Sequence, residues 1–145
     1  MKTQYTAIAL IVASSWTSAC TAQARSPEPV PLDRVECARC RMLISSDRGG
    51  GEIVSSSEDT RFYDDITCLA GDWATHHDNA LAYVRVAGGG WIEAQAASYA
   101  QPSSAQTAMG SGIAAFATIA EARAADPTGR ALTFDDVIRL AGVRR

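Results

Sequence analysis

Residues 60–77 read TRFYDDITCLAGDWATHH, and this stretch predicts a short strand that leads directly into a helix. The strand covers Thr60 to Asp64. Asp65 is a residue type that caps helix N-termini, and the apolar residues between Ile66 and His77 recur at helical spacing. A helix with one apolar face, joined to a strand, indicates a mixed fold in which the helix packs against a sheet.

Outward from this stretch, turns and periodicity predict two loosely similar cycles of strands and helices. The predicted elements are strands at 42–45, 52–56, 82–86, 91–93 and 112–118, and helices at 119–125 and from Thr133 onward, with an irregular stretch at 96–104. Triple glycines at 49–51 and 88–90 mark the turns. We therefore expect an α+β fold with two small strand–strand–helix subdomains.

The N-terminus carries the pattern of an export signal. A lysine is followed by an apolar run over residues 7–13 and then by small residues, which is too short for a membrane span. Residues 1–19 are therefore predicted to be a lipoprotein-type signal peptide with Cys20 as the lipidated residue. Ala22-Gln23-Ala24 is a competing ordinary cleavage site. Residues 20–36 are expected to form a lipid anchor and flexible tether, and residues 37–145 a metal-binding domain.

Composition allows one domain and gives no sign of a nucleic-acid partner. The chain has 145 residues, of which 16 are acidic and 13 basic, and no basic stripe is present. The sequence also shows no nucleophile with a supporting base, so we predict a binding protein rather than an enzyme.

Residues 37–42, CARCRM, place two thiols and a thioether within six positions. Thiolate and thioether donors select Cu(I) over hard cations. Around an extended Arg41, Cys40 and Met42 would project to one side of the backbone and form a ligand pair. Cys37 could return across a turn as a third donor, form a disulfide with Cys40, or take no part.

Other candidate side chains have structural explanations at this stage. If Cys20 is lipidated, three thiols remain, and a single disulfide would leave one of these thiols unpaired. Cys68 is predicted to pack against the other half of the domain, because it lies on the helix face opposite Ile66 and Trp73. His76 and His77 suit a helix C-terminus, and Asp65 suits a helix cap.

Together these residues resemble the NosL family of copper-binding lipoproteins associated with nitrous oxide reductase. The resemblance spans about residues 33–140 and is carried by Cys-x-x-Cys-x-Met at 37–42, FYDDIxCL at 62–69, WIEA at 91–94, MGSGIAAF at 109–116 and LTFDDV at 132–137. It implies a fold related to part of organomercurial lyase. It also implies that Cys40 and Met42 bind copper and that Met109 approaches the same site. Arg41 stands where the family frequently has Gly.

The resulting expectation is an exported, membrane-anchored Cu(I) chaperone on the periplasmic side of a bacterial membrane. Its expected partners are a periplasmic copper enzyme, nitrous oxide reductase, and that enzyme's membrane assembly apparatus. The expected metal ligands are Cys40, Met42, Met109 and Cys37. Two alternatives stay open: a thiol-disulfide oxidoreductase that uses Cys37 and Cys40, and a structural zinc module built from the cysteines and a histidine.

Overall fold

A four-stranded antiparallel sheet and a two-stranded sheet organise the chain in a computed structural model, which describes residues 25–143. The larger sheet has the order β2-β1-β3-β4, and β5 pairs with β6. The α+β class expected from the sequence is confirmed. The elements, in chain order, are β1 (Gly51–Ser55), β2 (Arg61–Tyr63), α1 (Ile66–Trp73), β3 (Ala80–Arg85), β4 (Trp91–Glu93), β5 (Ser98–Ala100), β6 (Ala114–Phe116), α2 (Ile119–Ala125) and α3 (Phe134–Val143).

One face of the larger sheet packs against α1. Ile53 of β1 pairs with Ala82 of β3, and both are fully buried. Gly51 lies on the same face, where a Cβ atom would come within 2.5 Å of the Leu69 side chain. The alternation of a strand therefore sends Glu52 and Val54 to the opposite face.

Asp65 caps the N-terminus of helix α1, as the sequence predicts. The Asp65 carboxylate accepts a hydrogen bond of 2.8 Å from the backbone N–H of Thr67. The helix ends at Trp73 rather than near His77, so the predicted end was wrong. Thr75 N–H and His76 N–H both donate to the Asp72 carbonyl, which forms a tight turn in place of another helical turn.

The second half of the chain covers the other side of α1. Helix α3 packs along α1, and the Phe134 ring lies between Trp73 and Tyr99, with ring centroids 6.3 and 6.0 Å away. Helix α2 has the predicted bounds and begins with a capping box, in which Thr118 and Glu121 bond to each other's backbone N–H groups.

Two predicted segments differ in the structure. Residues 42–45 form no strand of the sheets and have only an isolated bridge between Glu36 and Leu43, because the Ile44 backbone bonds to Asp33 and Val35. The stretch predicted to be irregular contains β5, which exists through its pairing with β6. A three-residue strand has too little sequence pattern to be recognised without its partner.

The segment before Cys37, expected to be a flexible tether, contacts the domain from residue 25 onward. The Tyr83 hydroxyl donates to the Arg25 carbonyl at 2.6 Å, and Glu28 N–H donates to Glu52 at 2.8 Å. The predicted signal peptide and Cys20 lie outside the described residues. None of the helices within residues 25–143 is long and apolar enough to cross a membrane.

Candidate metal centre

The loop from Cys37 to Met42 closes on itself through two backbone hydrogen bonds. Cys37 N–H donates to the Met42 carbonyl at 2.8 Å, and Arg41 N–H donates to the Cys37 carbonyl at 3.0 Å. Arg41 has a φ of 66°, which is left-handed backbone and not the extended conformation expected from the sequence. The loop is therefore a tight turn, and Cys37 returns towards Cys40 across it.

The junction of β2 and α1 supplies the other side of the site. Ala38 N–H donates to the Phe62 carbonyl at 2.9 Å and fastens the loop to β2. Asp64 follows β2, and Cys68 lies in the first turn of α1. The short connection between strand and helix directs both side chains towards the loop.

These elements bring four ligand atoms together. The Sγ atoms of Cys37, Cys40 and Cys68 and a carboxylate oxygen of Asp64 all lie within 4.8 Å of one another. We call these four residues the thiol cluster. All three thiols are free. The spacing is short enough for two or three of the atoms to bind one ion after small side-chain movements.

Burial is graded across the thiol cluster. Cys37 is 0% exposed and Cys68 4% exposed, whereas Cys40 is only partly buried. Asp64 is buried and accepts a contact from the Cys40 thiol at 3.4 Å. Cys40 is therefore the sulfur through which the cluster meets the surface.

The three thiols differ in pKa. A hydrogen bond from Cys68 lowers the pKa of Cys37 to about 6, against the opposing effect of burial. Burial raises the pKa of Cys40 to about 11. The pKa of Cys68 is raised because its thiol donates to Cys37, with burial adding to the effect. As pH rises, the thiol of Cys37, the most deeply buried of the three, is therefore the first to lose its proton.

The two methionines expected at the site lie at the surface. Met42 is 42% exposed and Met109 45% exposed. Met42 lines a surface cavity of about 310 Å³ together with Asp64 and Ala108, so it borders the thiol cluster. Met109 is held near the start of α1, because its N–H donates to the Asp65 carboxylate at 3.1 Å.

Asp64 is the member of the thiol cluster that the sequence did not identify as a ligand, and Cys68 was named as one only in the zinc alternative. Cys68 was assigned to packing, and it is buried, but its neighbours include two sulfurs. The position of a loop over a helix cannot be read from periodicity. The histidines are occupied elsewhere, since His76 bonds to Asp72 and His77 to the Trp73 carbonyl.

Chemically, the thiol cluster offers three sulfurs and one carboxylate. Two or three thiolates form a soft site that suits Cu(I). The full set of four donors would also satisfy the tetrahedral geometry of Zn(II). The graded burial favours an ion that needs only two or three ligands, because Cys40 can then face an incoming partner.

Comparisons with known proteins identify the family and a similar fold. The model of the NosL family matches residues 29–141. A solved structure described as the copper chaperone NosL from Shewanella denitrificans is similar in fold, with a TM-score of 0.66 and 21% sequence identity, covering 77% of this chain and 95% of that one. No curated protein matches the chain significantly.

Proposed function

This chain belongs to the NosL family, and we propose that it is a Cu(I) chaperone that passes its ion to another protein. The observation that carries the proposal is the meeting of three sulfur atoms within 4.8 Å, with Cys40 reaching the surface. The similar structure from Shewanella denitrificans is described as a copper chaperone, which supports the same function.

Transfer would proceed by ligand exchange at Cys40. Cys37 and Cys40 hold the ion, and the thioethers of Met42 and Met109 stand at the exposed rim as further soft donors. A two- or three-coordinate ion leaves room for a thiolate, imidazole or thioether of the acceptor. Copper can then change proteins without being released as a free ion.

We further propose that the protein acts on the periplasmic side of a bacterial membrane, anchored by a lipid on Cys20. The acceptor would be a periplasmic copper enzyme, nitrous oxide reductase, and the handover would occur near its membrane assembly apparatus. Support comes from the export pattern of residues 1–19 and from the family's association with that enzyme. Anchoring would keep the thiol cluster close to partners at the membrane.

A zinc module is the second candidate, because the thiol cluster contains four donors of types that zinc accepts. A thiol-disulfide oxidoreductase is less favoured. Such an enzyme needs one thiol that is both exposed and low in pKa. Here the lowered pKa belongs to Cys37, which is fully buried, whereas the more exposed Cys40 has a raised pKa.

Metal competition tests the proposal. The mature protein, reduced and kept anaerobic, should bind one Cu(I) per chain in competition with a Cu(I)-specific chelator. Cys40→Ser should lower the affinity at least a hundredfold, and Cys37→Ser should have a smaller effect. Ser103→Ala, at an exposed position outside the thiol cluster, serves as the control and should leave the affinity unchanged. Stronger retention of Zn(II) than of Cu(I) would establish the zinc module instead.

Mass spectrometry of the mature N-terminus tests the anchor. A diacylated or triacylated Cys20 is the expected first residue. Cys20→Ala should release the protein into the soluble periplasmic fraction or block its processing. An unmodified chain that begins at Arg25 would show that the Ala22-Gln23-Ala24 site is used and that no lipid is attached.

Acceptor identity needs a transfer assay. The Cu(I)-loaded chain is mixed with copper-free nitrous oxide reductase, and copper on each protein is measured after separation. Transfer faster than from the same concentration of Cu(I) held by a small-molecule chelator of similar affinity would support direct handover. Equal rates from the two donors would count against it.

A further inference from the structure

A buried glutamate lies on the face of the larger sheet that is turned away from α1. Glu52 of β1 pairs with Phe62 of β2 and Tyr83 of β3, so these three side chains share one face. Each of the three is less than 10% exposed, and Glu52 is 0% exposed. A carboxyl group at the centre of a sheet face needs a specific cover to exclude water.

Part of that cover is the segment formed by residues 25–30. Its backbone is fastened at two points, by the hydrogen bond from the Tyr83 hydroxyl to the Arg25 carbonyl and by the one from Glu28 N–H to Glu52. Two side chains add to this, because Thr60 donates to the Glu28 carboxylate at 2.7 Å and Arg25 donates to the Asn79 carbonyl at 2.5 Å. We call residues 25–30 the docked segment.

Glu52 has few groups to support a negative charge. Its Oε1 accepts the bond from Glu28 N–H, while its Oε2 is buried without a hydrogen-bond partner in the described part of the chain. Residues 25–143 show no salt bridge to Glu52, and their salt bridges pair other residues. An ionised carboxylate in this position would be poorly solvated, whereas a protonated one would be tolerated.

The charged and titratable groups around Glu52 do not stabilise its ionised form. On the docked segment, the Glu28 carboxylate repels it and the Arg25 guanidinium is bonded to Asn79. On β3, Tyr83 uses its hydroxyl to bond to the docked segment, and Arg85, on the same face, is paired with Asp47 at 2.7 Å. Glu93 of β4 stands opposite Tyr83 in the register. β2 presents the apolar ring of Phe62.

We propose that Glu52 is a pH-sensitive latch, which holds the docked segment on the sheet when it is protonated and releases the segment when it ionises. Undocking would expose Glu52 to water and separate it from Glu28, so the charged form is stabilised only in the undocked state. Burial, together with the Glu28 charge, raises the pKa of Glu52 to about 7, which places the change near neutral pH.

Release would lengthen the connection between the domain and its N-terminus. Six residues of extended chain span up to about 20 Å. If Cys20 carries a lipid, as proposed above, the thiol cluster would reach farther from the membrane at mildly alkaline pH than at acidic pH. The latch itself depends only on Glu52 and the docked segment and stands without the lipid or the copper function.

Hydrogen exchange measured by mass spectrometry tests the latch on the mature protein without added metal. After correction for the intrinsic pH dependence of exchange, the protection of peptides covering residues 26–32 should fall at least tenfold between pH 5.5 and pH 8.5. Glu52→Gln, which imitates the protonated form at nearly the same volume, should keep protection high at both values. Glu58→Gln, in the exposed loop after β1, is the control and should behave like the unaltered chain.

Glu28→Gln gives a second test that leaves the sheet unchanged. Removal of the neighbouring charge lowers the pKa of Glu52 in the docked state, so ionisation of Glu52 weakens docking less, and the fall in protection between pH 5.5 and pH 8.5 should be smaller than in the unaltered chain. Equal protection at pH 5.5 and pH 8.5 in the unaltered chain would overturn the latch. A fall in protection in Glu52→Gln as large as that in the unaltered chain would also overturn the latch, because another group would then control the segment.

Discussion

The Sγ atom of Cys40 lies 3.4 Å from one carboxylate oxygen of Asp64 and 3.5 Å from the other. This contact joins the turn at residues 37–42 to the junction of β2 and α1. It also places a carboxylate beside the most exposed thiol of the cluster. Burial is the largest cause of the raised Cys40 pKa, and the Asp64 carboxylate adds to it.

Asp64→Asn should therefore make Cys40 more reactive. Loss of the carboxylate charge lowers the pKa of Cys40, so more thiolate is present at pH 8 and alkylation by iodoacetamide should be several times faster. Peptide mapping locates the modified thiol. A slower reaction at Cys40 would mean that Asp64 does not restrain its ionisation.

The two rim methionines should affect copper differently from the cysteines. Met42→Leu nearly preserves volume and should leave the melting temperature unchanged while weakening Cu(I) affinity about tenfold or more. Met109→Leu should do the same to a smaller degree, because Met109 belongs to a separate loop. Leu43→Met is a useful control that adds a nearby thioether. If both leucine variants bind Cu(I) with full affinity, the thiols alone hold the ion.

Arg41→Gly should stabilise the fold. A non-glycine residue in left-handed backbone costs about 1–2 kcal/mol, and the substitution removes this cost. Glycine is also more flexible in the unfolded chain, which offsets about 0.5–1 kcal/mol of the gain. We expect a net gain of about 0.5–1 kcal/mol in the free energy of unfolding. The exposed ion pair with Glu36 contributes little. Arg41→Ala removes the same charge but keeps the strain, so it should change stability by less than about 0.5 kcal/mol.

Gly51→Ala should be strongly destabilising. The new Cβ would lie 2.5 Å from both the Leu69 side chain and the Tyr83 carbonyl, and the backbone atom cannot move without disturbing the sheet. A loss of about 2–3 kcal/mol in urea unfolding is expected. Gly88→Ala is the matched control, because a Cβ atom at that position would meet no other atom within 4 Å, and it should be neutral or slightly stabilising.

Stability should also depend on pH through Glu52. The carboxyl has a pKa of about 7 in the folded chain and about 4.5 when unfolded. As pH rises between these values, the unfolded chain loses its proton first, so the free energy of unfolding falls, by at most about 3 kcal/mol. Release of the docked segment would reduce this loss. Urea titrations at pH 4.5 and 7.5 should show the fall in the unaltered chain and a smaller one in Glu52→Gln.

Elements whose signals lie in neighbouring residues were predictable from the sequence. Asp65 caps α1 as expected, α2 has its predicted bounds, and the glycine turn at residues 88–90 joins β3 to β4 with positive φ at Gly89 and Gly90. These features depend on neighbouring residues alone. The strand β5 depends on its partner β6, which comes much later in the chain, and its three residues carry no pattern of their own.

The site was predictable only in part for the same reason. The CxxC pattern located Cys37 and Cys40, but a local rule placed Arg41 in extended backbone, where the structure has a left-handed turn. Cys68 was correctly expected to be buried. Its proximity to two other sulfurs follows from the way the loop is fastened to β2, which is a tertiary contact that one sequence does not reveal.

Both oxygens of the Asp65 carboxylate are occupied: Oδ1 caps α1, and Oδ2 accepts bonds from Met109 N–H and the Ser111 hydroxyl. One side chain thus anchors two segments that are far apart in the chain. Movement of the Met109 loop that breaks its bonds to Asp65 would disturb the cap of α1, whose first turn carries Cys68. We therefore expect the two sides of the thiol cluster to move together, so that the rate at which a bound ion leaves would depend on this joint motion and not on independent movement of the Met109 loop.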